Sequence, residues 1–340
     1  MKQTSRIYVA GGTTLLGRAL IRRLQARGFA NLVGLPGDEP DLTVRGQVED
    51  FFGEARPEYV FVAAGLSGGI GLNRSRPATL MLDNLLVAAH VLEAAQAHGV
   101  TKLVYLASSC SYPRDAAQPL AVESLMSGPL EPTNAAYATA KLAGWQLARA
   151  YRQEYGARFI TAIPANGFGP DDDFDPASGH VIPALLRRCH EAKVQRQPSV
   201  TIWGTGTPRR EFVYADDLAD ACLFVMDRYD GEAPINLGGG ESLSIAGVAR
   251  AVAGVVGYEG ELRFDPSMPD GMPLKMLDAR PLRALGWSPA TEFRTALAQT
   301  YAWYLQHEKS REDDTDVRTA VSSAVSDSAD RGRGRPGVSD

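Results

Sequence analysis

Cysteine is scarce in this chain. There are three in 340 residues, Cys110, Cys189 and Cys222, odd in number and far apart. That excludes a disulfide-stapled secreted scaffold and, with no CxxC pair, a zinc ribbon or finger, so no metal is expected and a reducing, cytoplasmic compartment fits best. A surplus of cations is missing too. The formal net charge is -5, with 35 Lys and Arg against 40 Asp and Glu, leaving nothing to neutralise a nucleic-acid backbone or an anionic membrane face. No apolar run is expected to approach the roughly 20 residues of a membrane span, and MKQTSRIYVAGG enters a strand and a turn too early for a signal peptide. What the chain does have is size and apolar content. At 44% hydrophobic and 22% charged, it describes a soluble globular protein with a full core and room for a smaller second unit.

Short apolar runs alternate with stretches of helical period, the pattern of a parallel sheet flanked by helices. Strands are expected near Arg6–Ala10, Asn31–Leu35, Tyr59–Ala64, Lys102–Ala107 and Arg158–Ile163, and helices near Leu15–Arg27, Thr43–Ala55, Ala78–His98 and Ala136–Tyr155. The strands do not alternate in polarity, as expected where both faces are buried. The fold class is therefore α/β, a doubly wound parallel Rossmann sheet. Residues 1–170, with parts of about 213–240, are expected to form the dinucleotide-binding unit. After Pro170 the rhythm turns irregular, and residues 171–308 are read as a smaller lobe for a second ligand, with helices near Val181–Ala192, Ser244–Val255 and Phe293–His307. Residues 309–340 carry no aromatic side chain and are expected to be a disordered tail.

Three segments carry chemistry. The first strand empties into Gly11-Gly12-Thr13-Thr14-Leu15-Leu16-Gly17, where small residues let a turn approach a pyrophosphate and the next helix offers it free N–H groups. The middle glycine of a GxxGxxG spacing is replaced by Thr14, whose hydroxyl remains a possible phosphate donor. The fourth strand runs into Ser108-Ser109-Cys110-Ser111-Tyr112-Pro113, and Tyr137-Ala138-Thr139-Ala140-Lys141 opens a helix. Four-residue spacing puts Tyr137 and Lys141 on one face. A cation there favours phenolate, so Tyr137 is expected to exchange a proton with a carbonyl oxygen near neutral pH, and Ser108 to hold the same oxygen. Each element has a bland alternative: a tight turn without a ligand, a chance YxxxK, buried apolar cysteines at Cys189 and Cys222, and a surface helix-start histidine at His180. Asp216 and Asp217, in VYADD, are read as helix-capping groups.

SSCSYP, QPLAVESLMSGPLEPTNAAYATAK, IPANGFGPDDDFDPASGHVIPALLRRCHEA, VTIWGTGTPRREFVYADD and PDGMPLKMLD, in that order, resemble the landmarks of the extended short-chain dehydrogenase/reductases, and within them the GDP-L-fucose synthase group. The likeness spans about residues 5–307. It implies a GDP-sugar substrate, GDP-4-dehydro-6-deoxy-D-mannose, epimerised at C3 and C5 and reduced at C4 with a nicotinamide cofactor, by a cytoplasmic homodimer without nucleic-acid or membrane partners. It assigns catalysis to Ser108, Cys110, Tyr137, Lys141 and His180, with Cys110 and His180 as the epimerisation base and acid. Cofactor contacts are implied for Gly11, Gly12, Thr13, Thr14, Leu15, Gly17, Tyr137, Lys141, Pro164, Asn166 and His180, and substrate contacts for Arg188, Trp203, Arg210 and Lys275. Another 4-keto nucleotide sugar and a non-catalytic binding homologue are the alternative readings. NADPH-preferring members carry arginines where this chain has Thr13 and Leu35-Pro36-Gly37-Asp38, which leaves NADP(H) or NAD(H) open and points to a weakened NADPH preference.

Overall fold

The segment Ile7–Ala10 is IYVA, and all four residues are buried. A strand with no polar position belongs inside a sheet covered on both faces. In the computed structural model, which describes residues 1–175, 179–268 and 270–307, it is β1. The strands that follow are β2 (Leu32–Val33), β3 (Tyr59–Val62), β4 (Lys102–Leu106), β5 (Phe159–Pro164), β6 (Asn166–Phe168), β7 (Ser199–Trp203), β8 (Arg209–Tyr214), β9 (Ile235–Leu237), β10 (Glu241–Ser244), β11 (Glu261–Asp265) and β12 (Leu274–Lys275). The helices are α1 (Leu15–Ala26), α2 (Arg45–Ala55), α3 (Ile70–Ser75), α4 (Pro77–Ala97), α5 (Ala135–Tyr155), α6 (Val181–Val194), α7 (Ala215–Arg228), α8 (Ile245–Val256) and α9 (Arg280–Ala284), with a last helix over residues 293–307.

The central sheet is parallel, in the order β2-β1-β3-β4-β5-β9. The chain winds outward from β1 in both directions, so a crevice opens at the carboxyl ends of β1 and β3, the position at which such sheets bind ligands. The expected α/β fold is thus the observed one, and the longer elements lie within three residues of their expected ends. β2 is shorter than expected because Gly34 turns the chain at φ 61. Helix α5 lies close on β4 because Gly144 has no side chain: a Cβ there would sit 2.2 Å from the Tyr105 hydroxyl. That contact brings the start of α5 against the end of β4.

Beyond β5, the strand expected from sequence at Val200–Trp203 and the strand-like pieces near Ile235 and Leu262 are β7, β9 and β11, whereas β6, β8, β10 and β12 were not legible. β8 is the partner of β10, β12 and β6, although its sequence RREFVY opens with two arginines. It is held by Glu211, 2% exposed, whose carboxylate accepts from the backbone N–H of Gly239 at 2.5 Å, Gly240 at 3.1 Å and Leu277 at 2.9 Å. A second apolar cluster, with Phe168, Leu185, Ile202, Phe212, Val252 and Leu297 among its members, is separate from the core of the central sheet.

One expectation fails outright. α4 is 21 residues long and, by length and composition, apolar enough to cross a membrane. It is packed in the domain against α5 and the sheet, with Leu80, Val87, Val91 and Leu92 buried; apolar character on every side of a helix also marks a core helix. The tail expectation for residues 309–340 lies outside the described residues.

Candidate active site

The glycine turn after β1 takes its shape from two residues. Gly11 has φ +84, and a Cβ on it would lie 2.5 Å from Ala64 Cα, so only glycine lets the turn pass this close to the end of β3. Thr14 is the N-cap of α1, with the Gly17 N–H donating to its Oγ1 at 3.1 Å. The Thr14 hydroxyl donates in turn to Gly11 O at 2.8 Å. The hydroxyl expected to serve a phosphate is therefore occupied within the turn. Leu15 and Leu16 still have first-turn N–H groups that helical geometry leaves without an intrahelical partner, and with Thr13 and Thr14 they line the crevice. Those donors and the helix dipole suit a pyrophosphate. Gly11, Gly12 and Gly17 are buried beneath it.

The crevice widens into a cleft of about 1230 Å³ between the sheet and the second lobe. A single small ligand needs roughly 300–1,000 Å³, so there is room for two. Its floor holds the segments picked out by sequence. Beyond β4, Ser108 caps a three-residue 3-10 turn, accepting from the Cys110 N–H at 3.2 Å. Tyr137 and Lys141 stand one turn apart on α5. The Lys141 ammonium, 7% exposed, donates to Ala64 O at 3.2 Å and lies 5.9 Å from the Tyr137 ring centroid. Burial pushes Lys141 down to about 8, opposed by Asp83. Tyr137 moves opposite to the sequence expectation. Burial, and then the nearby Cys110, push the phenol above its ordinary range, against a hydrogen bond with Ser108. In this cleft desolvation sets the direction, and the Tyr137 phenol keeps its proton at neutral pH.

The rest of the lining comes from residues beyond β6. His180 is the N-cap residue of α6, its side chain 48% exposed, with Nδ1 3.9 Å from Oδ1 of Asp172. The Arg188 guanidinium lies over the Trp203 indole at 5.8 Å, and Arg187 instead pairs with Glu191 at 2.7 Å. Lys275 differs from its expected place. Its ammonium is 3.7 Å from the Cys110 sulfur, so it faces the reacting end. Arg210, buried enough to be pushed below the ordinary arginine range, donates to Asp270 O at 3.4 Å. Pro164 and Asn166 also line the cleft, although the Asn166 amide donates to Glu211 O at 2.9 Å.

Cys189 and Cys222 are buried, as the bland reading holds, and burial pushes the Cys189 thiol up to about 11. Asp216 and Asp217 are not side-chain caps. Asp216 pairs with Arg22 at 2.7 Å, and Asp217 accepts from Thr291 N–H at 2.9 Å, tying α7 to its neighbours. Sequence reading missed Asn134, which lines the cleft with a buried, unpartnered Oδ1. Its place just ahead of α5 reads as a helix cap, yet its side chain makes no cap bond. Glu39 was missed too. Asp38 was singled out at the end of β2 and is exposed; Glu39 is the carboxylate that reaches the glycine turn, accepting from Gly11 N–H at 2.5 Å and Tyr8 OH at 3.0 Å.

A family profile described as the NAD dependent epimerase/dehydratase family matches residues 7–238. The chain belongs to that family. It is similar to GDP-L-fucose synthase 1 of Arabidopsis thaliana, 46% identical over 305 residues that cover 90% of this chain and 94% of the relative. Among solved structures, a GDP-6-OMe-4-keto-L-xylo-heptose reductase from C. jejuni superposes with a TM-score of 0.85 at 35% identity, covering 90% of this chain and 99% of that one. A GDP-L-fucose synthetase from Naegleria fowleri, bound to NADP, gives 0.85 at 30% identity, covering 91% and 95%. Membership of the epimerase/dehydratase family makes this an NAD(P)-dependent enzyme, and the glycine turn is the part of its cleft suited to the dinucleotide.

Proposed function

We propose that this enzyme converts GDP-4-dehydro-6-deoxy-D-mannose to GDP-L-fucose, inverting C3 and C5 and then reducing C4. The observation that carries the reading is a thiol, Cys110, and an imidazole, His180, lining the same cleft as Ser108 and Tyr137. A plain ketone reductase needs a hydroxyl donor; inversion beside a ketone needs a base on one face and an acid on the other. Protons on C3 and C5 are each α to the C4 carbonyl, so a donor at the carbonyl oxygen stabilises the enolate of either step. Tyr137 is that donor, with Ser108 holding the same oxygen. Cys110 takes the α-proton as a thiolate, with the Lys275 ammonium as counter-charge, and His180 returns a proton to the opposite face.

Reduction uses the same oxygen. A reduced nicotinamide held at the glycine turn would supply the hydride for C4; Tyr137 gives the alkoxide its proton, and the Lys141 ammonium stands beside the phenolate that this leaves. Arg188 and Arg210 are the cations for the nucleotide diphosphate, and Trp203 is a surface for the base or sugar.

The proposal extends to a cytoplasmic homodimer. Supporting it are three unpaired cysteines and the outer side of α4, where Leu82 is 59% exposed on a helix apolar all round. The C. jejuni relative, a reductase of a GDP-linked keto-heptose, supports a second reading in which the sugar differs. The test is incubation with GDP-4-dehydro-6-deoxy-D-mannose in deuterated buffer with reduced nicotinamide. GDP-L-fucose carrying deuterium at C3 and C5 is expected. Reduction without exchange would reassign the enzyme to a 4-keto reductase, and no turnover would favour the other sugar.

A further inference from the structure

Between the end of β2 and the start of α2 the chain is acidic. Residues 31–44 hold Asp38, Glu39 and Asp41, with no lysine or arginine. In a doubly wound sheet this is the stretch that meets the adenosine ribose. There a carboxylate accepts from free ribose hydroxyls, and an arginine is what accommodates a 2′-phosphate. The turn between β1 and α1 offers an exposed Thr13 at its outer edge and no cation.

Arginines on α1 and at the start of α2 are engaged with other partners. On α1, Arg18 donates to Thr13 O at 3.3 Å and lies 3.7 Å from Asp171, while Arg22 is hydrogen-bonded to Asp171 and Asp216. Arg23 and Arg27 both pair with Asp220. At the start of α2, Arg45 pairs with Glu93 at 2.6 Å. Each of these five arginines has a carboxylate partner, and the cations left to compensate are Arg74 and Arg76, beyond β3 on the side nearer the substrate.

Glu39 completes the picture. Its carboxylate is anchored by Gly11 N–H and the Tyr8 hydroxyl, which fixes it beside the glycine turn. Burial already raises its proton affinity, so a second anion nearby is opposed by a charge that has little solvent to screen it. A 2′-phosphate brings about -1.5 to -2 charge near neutral pH.

We propose that the adenosine end of this cleft does not read a 2′-phosphate, so that the enzyme binds NADH at least as tightly as NADPH. In this it departs from the Naegleria fowleri relative, which holds NADP. The inference shares only the dinucleotide with the sugar chemistry above and stands or falls without a sugar substrate.

The test is titration of the full chain with each reduced cofactor, following tryptophan fluorescence. Dissociation constants within threefold of each other, or a tighter one for NADH, are the expected result. NADPH binding more than threefold tighter would overturn the proposal. Thr13→Arg/Leu35→Arg supplies two cations at the named places. It should tighten NADPH at least tenfold, in the range of one charge-assisted hydrogen bond, with a wild-type melting temperature as the check that the fold is intact. An intact variant whose NADPH affinity does not change would place the phosphate elsewhere and also overturn it. If neither cofactor binds the wild-type chain, this inference and the functional reading fall together.

Discussion

At the sugar end of the cleft, Ser108, Cys110 and Tyr137 come from two elements pressed together at Gly144, and charged partners from the second lobe, Lys275 and Asp172, stand against the thiol and the imidazole. At the adenosine end, the acidic stretch 31–44 follows β2 beside a turn in which the Thr14 hydroxyl is occupied by its own backbone and Thr13 is exposed. Both regions follow the carboxyl ends of strands of the same parallel sheet. Groups that move protons must be held by rigid packing, because general acid–base catalysis depends on hydrogen-bond geometry. Groups that select between two cofactors need only supply or withhold charge on a loop, where side chains change without disturbing the core. One end is thus strict and the other permissive, within one ligand site.

The sharpest way to break that contrast is Tyr137→Phe, which removes only the hydroxyl. Reduction at C4 is expected to fall by roughly 10²–10⁴, as for a positioned acid, with the NADH dissociation constant changed less than twofold. Near-normal reduction, measured by loss of cofactor absorbance, would take the proton donor away from α5. Cys110→Ser and His180→Gln should each slow deuterium exchange at C3 and C5 by about a hundredfold, a larger loss than either causes in cofactor affinity. NMR of the recovered sugar reads the exchange, and wild-type rates in both variants would end the two-base assignment.

Lys141 belongs to both ends, and its effect is read through pH. Its folded value, about 8, lies below its ordinary 10.5. Below pH 8 both states are charged, and the folded state bears the full desolvation penalty. Between pH 8 and 10.5 the unfolded chain binds more protons, so stability relative to Lys141→Met should rise with pH, by about 3 kcal/mol over that window. Urea melts of the two proteins at pH 7.5, 9 and 10 would show the gap; parallel curves would mean that Lys141 keeps its ordinary value. The smallest effect is expected at the surface. Asp216→Asn removes one partner of the partly exposed Arg22 and should destabilise by about 0.5–1 kcal/mol without altering turnover. A loss above about 2 kcal/mol would show that α7 depends on this pair far more than an exposed ion pair allows.

Much of the architecture was legible because its signals are local. IYVA can be little other than a buried parallel strand, and YATAK sets a phenol and an amine one turn apart whatever surrounds them. β8 was not legible, since its stability comes from Glu211 binding backbone groups 28, 29 and 66 residues away. The direction of the Tyr137 shift was missed for a related reason: spacing reveals a neighbouring charge but not how little water remains around the phenol.

The sequence by itself determined the doubly wound class, the glycine turn and the Tyr137–Lys141 pair beyond Ser108, because chain direction and helical period place those groups without reference to distant contacts, whereas Cys110 and His180 entered the site only through the family resemblance. Only the tertiary structure decided which charge stands beside which. Lys275 meets the Cys110 sulfur across 165 residues of chain and Glu39 meets Gly11 across 28. Such pairings depend on which loops the packed core brings within a few ångströms, and electrostatics at that range follow distance and desolvation instead of position along the chain.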